Sequence, residues 1–225
     1  MSIDDNENIY NLEEPEENEN SPLNYAAYPD EEEGEELEGQ QEGQRKSAIS
    51  LLIKVMFNPV EGWKTLRRSG ITPESLQGGC FYPILALLAV SKFAEFFYYV
   101  NVSLAEVLTQ AVISFVAFFL GYFCIMMLIS WVIPKEMKEK YNDKFAKNFT
   151  IISLSTLALF SIITNFLPMI WPILIFLPLW TLYLMYKGIR FFHFPVDKEM
   201  KLYVIISAGM IGLPYMLDWL MNELV

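Results

Sequence analysis

The sequence predicts an all-α membrane protein: a polytopic bundle of five transmembrane helices, preceded by short interfacial helices and a disordered acidic N-terminal tail. Three observations carry that prediction. Five stretches are apolar over a bilayer's thickness, the basic residues gather beside alternate ends of those stretches, and most acidic residues gather before the first of them.

The acidic tail accounts for an apparent conflict in composition. The chain has a formal net charge of -11, yet 53% of its 225 residues are hydrophobic. Residues 1–44 hold 16 of the 27 acidic residues and no Lys or Arg, whereas 45–225 hold all 16 basic residues against 11 acidic ones. So polar a segment, with one sign of charge, cannot bury enough apolar surface to offset its chain entropy, so 1–44 is expected to be disordered. Its carboxylate runs (Glu13, Glu14, Glu16, Glu17; Glu31 to Glu33) repel one another. A docking element around Tyr25–Tyr28 is the alternative to a purely solvated tail. No basic and apolar secretory leader opens the chain before residue 47.

Residues 45–79 are expected to form a juxtamembrane region. Ser47–Phe57 is apolar but too short to cross, and with Arg45, Lys46 and Lys54 beside it, it reads as a helix lying in the interface. Asn58 then offers an N-cap, Pro59 suits the first helical position, and Glu61 follows the cap by three residues. That helix should run to Arg68 and stop at Gly70, with Trp63 at headgroup level. Thr72-Pro73 repeats the start signal and leads through Gly78 and Gly79 into the first span.

A crossing helix needs roughly 20 mostly apolar residues. Within 80–222 the stretches 80–100, 105–133, 149–167, 170–192 and 202–221 meet that requirement. The second runs from Val107 to Ile133 without a charge, and the fourth carries Pro172 and Pro178, which neighbouring helices can accommodate in lipid. Pro168, Met169 and Pro172 predict a hard turn between the third and fourth spans. Phe96 to Tyr99, Phe191 and Phe192 stand at span ends, as an aromatic belt would. Ala208 and Gly212, beside Ser207 and Gly209, give the fifth span a close-approach face, and Ser114 and Gly121 do the same for the second.

Charge sets the orientation. Arg45, Lys46, Lys54, Lys64, Arg67 and Arg68 precede the first span, and the second and third are joined through Lys135, Lys138, Lys140, Lys144 and Lys147. Lys187, Arg190, Lys198 and Lys201 surround the fourth connection, whereas the turns at Asn101–Leu104 and Pro168–Met169 have no basic residue. The positive-inside rule then places the N-terminus and both long loops in the cytoplasm and the C-terminus outside.

Ionisable residues in a span are candidate functional sites. Lys92 and Glu95 lie in the first span, Glu106 opens the second and Asp218 lies late in the fifth. Lys92 and Glu95 share a helix face, so Lys92 is expected to pair with Glu95 or Asp218. A structural ion pair and a proton or ion site built on Lys92 are the two readings of this cluster. Metal and enzyme chemistry find little support. The single His193 and two unclustered cysteines, Cys80 and Cys124, give no ligand set, and no cofactor is expected. No HExxH, GxSxG, Walker or dinucleotide fingerprint occurs. The motif Asn101-Val102-Ser103 matches a glycosylation acceptor only as short motifs often do by chance. The basic loops are interleaved with Glu136, Glu139 and Asp143, and fit orientation better than nucleic acid.

The opening Phe57-Asn58-Pro59-Val60-Glu61-Gly62-Trp63 carries a resemblance, as do Trp180 and Tyr186-Lys187-Gly188-Ile189-Arg190, Pro195, and the last span's Gly209 and Gly212. Over about residues 50–222 the chain resembles the Yip family of integral membrane proteins, which interact with Ypt/Rab GTPases, and its flavour is that of bacterial members. The resemblance implies a non-enzymatic scaffold or adaptor in membrane organisation or trafficking. In a bacterium the Rab partner does not carry over, and the cytoplasmic membrane is the expected location. The expected partners are the lipid bilayer, a protein on the cytoplasmic face through Asn58–Arg68 (with Asn58, Pro59, Glu61 and Trp63 as the motif) and Lys135–Lys147, and a second copy of the chain. A small transporter or channel around Lys92 is the alternative from a different class.

Overall fold

The structure, a computed structural model, describes residues 47–99, 102–136, 142–167, 171–192, 194 and 196–224. The acidic tail, with Tyr25–Tyr28, lies outside the described residues, as do Asn101, Lys138, Lys140, the Pro168–Met169 turn, His193 and Pro195.

Among the described residues every regular element is helical. Helix α1 is Ser47–Phe57. It is followed by α2 (Pro59–Arg68) and α3 (Pro73–Leu76). A π-helical stretch, Gln77–Phe81, joins α3 to α4 (Tyr82–Ser91), and a 3₁₀ stretch, Lys92–Phe97, closes it. Then come α5 (Leu104–Glu136), α6 (Asp143–Phe166) and α7 (Trp171–Ile189). A 3₁₀ turn, Arg190–Phe192, separates α7 from α8 (Val196–Leu224).

The caps act as the residue types dictate. The Asn58 side chain accepts from the Glu61 N–H at 3.4 Å, Pro59 opens α2, and Arg67 and Arg68 occupy its last turn. Gly70, at φ 65°, turns the chain out of α2 in the left-handed region that glycine adopts without strain. Thr72 accepts from the Ser75 N–H at 3.3 Å to start α3. Ser103 and Glu106 cap α5 reciprocally. The Glu106 N–H donates to Ser103 Oγ at 3.2 Å, and the Ser103 N–H donates to Glu106 Oε2 at 3.0 Å.

Four helical runs are long and apolar enough to cross a membrane: Pro73–Phe97, Leu104–Ile133, Asp143–Phe166 and Lys198–Leu224. Between the last two lies α7, 19 residues with Lys187 in its final turn. Four helices begin before their expected spans, whereas α7 falls short of the expected 170–192. The first begins at Pro73 rather than Cys80, because α3 and the glycine-bearing π stretch are continuous with it. Loop residues expected before Phe149 and before Leu202 are helical, since Asn142 caps α6 at Phe145 N–H (3.0 Å) and α8 starts at Val196.

Helix α6 is the axis of the bundle and touches α3, α4, α5, α7 and α8. Fifteen of its 24 residues are buried, from Phe145 to Ser161. Three of its buried hydroxyls bond back to their own helix, Thr150 to Ala146 O and Thr156 to Ile152 O, both at 2.9 Å, and Ser161 to Leu157 O at 3.2 Å, whereas Ser155 faces Cys80 Sγ. The outer surface is apolar: Leu87, Val90, Val112, Met127, Trp131, Met216 and Trp219 are all exposed. So greasy an exterior around an already filled core suits lipid rather than water.

Helix α1 departs from a purely interfacial helix. Ala48, Leu51, Leu52 and Val55 belong to the buried core, while Ile49, Ile53 and Phe57 face outward. Lys54 Nζ donates to Thr65 Oγ1 at 2.8 Å, and Trp180 Nε1 donates to Met56 O at 3.2 Å, fixing α1 to α2 and α7. Gly62 permits this approach, since a Cβ there would lie 2.5 Å from Val55 Cα.

The close-approach face of the fifth span also differs from expectation, while that of the second lies at Gly121 as expected. A Cβ on Gly212 would meet nothing, and Ala208 is exposed. It is Gly209 that packs on α5, where a Cβ would fall 2.5 Å from Leu128 Cδ2, and Gly121 that receives Pro214, at 3.1 Å from its Cγ. The apolar pattern of the fifth span runs all round, so spacing alone could not choose between its faces. Phe192 likewise leaves the expected aromatic belt, packing among Phe145, Phe149 and Phe194 in the core.

Candidate functional site

Of the residues expected to present a partner motif, Pro59 and Trp63 are buried, while Asn58 and Glu61 are exposed at the start of α2. Trp63 is 0% exposed, enclosed by protein rather than presented to headgroups. Its Nε1 donates to Leu184 O at 2.9 Å, and its ring lies 5.1 Å from that of Phe149. The indole reaches this depth because Gly188 has no side chain. A Cβ at Gly188 would sit 2.7 Å from Trp63 Cε2 and 2.6 Å from Phe149 Cε2. Two sequence motifs 125 positions apart, one around Trp63 and one around Gly188, thus meet as peg and hole. Pro59 is buried beside them, and Asn58 and Glu61 serve the α2 cap, with Glu61 also 3.4 Å from Lys64.

Around this lock stands a basic surface that the motif had masked in the sequence. Lys64, Arg67 and Arg68 of α2 lie next to Lys187 and Arg190 at the end of α7, with Phe191 between them. Arg67 Nη1 donates to Phe191 O at 3.1 Å, joining α2 to the turn after α7. Arg190 meets Glu199 at 3.3 Å and lies 4.5 Å from the centre of the Tyr186 ring. Lys187 stands over Tyr183 at 5.3 Å.

The four intramembrane ionisable residues do not assemble. Lys92 is half-buried at the C-cap of α4, and neither Glu95 nor Asp218 comes within 4.0 Å of it; the expected ion pair is absent. The 3₁₀ stretch from Lys92 to Phe97 keeps positions three apart on one face but rises about 2.0 Å per residue, which sets Glu95 about 6 Å along the axis from Lys92. Glu106 is exposed and belongs to the α5 cap. Asp218 instead closes a clamp between α5 and α8. Ser114 Oγ donates to Asp218 Oδ1 at 3.1 Å, Gln110 Nε2 donates to Asn222 Oδ1 at 2.5 Å, and Asn222 Nδ2 donates to Asp218 O at 2.8 Å. Gln110/Ser114 and Asp218/Asn222 are each four apart, a spacing that could have revealed the pairing.

A filled helical bundle with a greasy exterior, an indole-locked amphipathic collar and a polar clamp at the far end defines an integral, multi-pass membrane protein. Residues 53–217 match the Yip1 domain, and the chain belongs to that family. The match begins within α1 and ends one residue before Asp218, so it includes both halves of the Trp63–Gly188 lock. No curated protein and no solved structure matches the chain.

Proposed function

We propose that this protein is a five-span, non-enzymatic scaffold or adaptor of the Yip type, working in membrane organisation or trafficking. In this reading α7 is the fifth crossing, the N-terminus and the basic connections are cytoplasmic, and the C-terminus is outside. A bacterial cytoplasmic membrane is the location most consistent with its resemblance to bacterial members.

The observation that supports the scaffold over a transporter is the enclosure of α6. Its buried run from Phe145 to Ser161 is surrounded by protein side chains, and among the described residues Lys92 has no carboxylate within ion-pair distance. The collar formed by α1, α2 and the end of α7 is the contact surface, but through Phe57, Val60 and the basic residues rather than through buried Trp63. Cross-linking in native membranes followed by mass spectrometry tests this. A defined protein partner cross-linked through α2 supports the adaptor. A solute flux in reconstituted vesicles that depends on Lys92 removes it.

A further inference from the structure

The collar's basic side chains are not spread evenly. A cleft of about 350 Å³ is lined by Val60, Arg67, Lys187, Arg190 and Phe191. A second, of about 490 Å³, shares Arg67 and Phe191 with it and adds Lys64 and Arg68. Five cations therefore converge there; among the described residues Glu61 pairs with Lys64 and Glu199 with Arg190. We propose that this joined cleft binds the phosphate of an anionic phospholipid headgroup, between α2 and the C-terminal end of α7.

Three features favour a lipid over another anion. Lys187 occupies the last turn of an apolar 19-residue helix, which puts the cleft at the depth where headgroups lie. Its wall is mixed: Val60 and Phe191 stand among the cations, and exposed Phe57, Ile53 and Ile49 continue the apolar side along α1. An acyl chain leaving the headgroup would follow that side. Arginine supplies a planar donor fork for phosphate oxygens, and Arg67 is held in place by its bond to Phe191 O. In anionic leaflets each such cation favours binding severalfold.

The site rests on the proposed placement of the collar at the inner surface, but its test does not depend on orientation. The full-length chain, purified in a neutral detergent, is titrated with dioleoylphosphatidylglycerol or dioleoylphosphatidylcholine and bound lipid is counted by native mass spectrometry. The phosphatidylglycerol should bind preferentially. The pair Arg67→Gln/Lys187→Gln should weaken its binding about tenfold or more, while Lys201→Gln, an exposed cation on α8, leaves it unchanged. Because Arg67 also ties α2 to the turn after α7, Arg68→Gln/Lys187→Gln gives a second reading that spares that bond. Equal binding of the two lipids, or no loss in either double variant, overturns the site. Competition by millimolar inorganic phosphate as effective as by the lipid reassigns it to a free anion, and displacement by an oligoglutamate peptide with no lipid preference reassigns it to a protein. A C-terminus found in the cytoplasm, with lipid preference intact, would count against the five-span reading alone.

Discussion

Trp63 shows how a residue type can be read correctly as important and wrongly as exposed. An indole beside a membrane is ordinarily amphipathic cargo for the interface, and nothing in Gly62-Trp63 says otherwise. What decides its depth is Gly188, remote in sequence, whose missing Cβ leaves room for the ring. Trp63→Ala should cost about 3–5 kcal/mol, combining lost burial, the cavity and the Leu184 hydrogen bond. Gly188→Ala should cost about 1–3 kcal/mol by overpacking rigid rings. Denaturant unfolding in detergent measures both, and a Gly188→Ala protein as stable as the parent would refute the peg-and-hole contact. Lys92 behaves oppositely. With no carboxylate of the described residues within ion-pair distance, Lys92→Met should leave yield and midpoint of unfolding within about 0.5 kcal/mol of the parent. A loss of several kcal/mol would reveal a partner for its charge.

At the scale of helices, the contrast among glycines sorts packing from filler. Gly62 faces backbone, with Val55 Cα 2.5 Å from a built Cβ, so Gly62→Ala must push α1 off α2 and should destabilise by about 1–3 kcal/mol. Gly212→Ala meets open space inside a helix and should be neutral or stabilising, by up to about 1 kcal/mol. Similar effects of the two substitutions on the unfolding midpoint would sink this distinction. The α5–α8 clamp lends itself to a double-mutant cycle: Ser114→Ala and Asp218→Ala should couple by about 0.6 kcal/mol, up to about 1.7, as hydrogen bonds between membrane helices do. Independent losses would show that the two side chains do not share a bond. Helix starts were legible here because they depend on local chemistry: Asn58-Pro59, Thr72-Pro73 and Gly70 all act where their neighbours predict. Which face of a span meets which neighbour was not legible. The apolar residues of α8 occupy its whole circumference, so Ala208 and Gly212 looked as suited to packing as Gly209.

For the whole molecule, apolar length foretold a helical membrane bundle, and the family match over 53–217 falls within the residues 50–222 that carried the resemblance. The site was less visible, because a basic cleft made by Arg67 and Lys187 requires two segments 120 positions apart to meet. A reporter fused after Val225 should be active only in the outside compartment; cytoplasmic activity would make the number of crossings even. The central position of α6 has a further meaning for biogenesis. This helix carries Asn148, Thr150, Ser153, Ser155, Thr156 and Ser161, all buried against protein, and alone in the hydrocarbon it would gain little from leaving the insertion machinery. It is made after α5 but before α7 and α8, two of the helices that enclose it. Newly synthesised α6 should therefore linger at the insertase, shielded by a chaperone or by the translocation pore, until the last quarter of the polypeptide emerges to cover it.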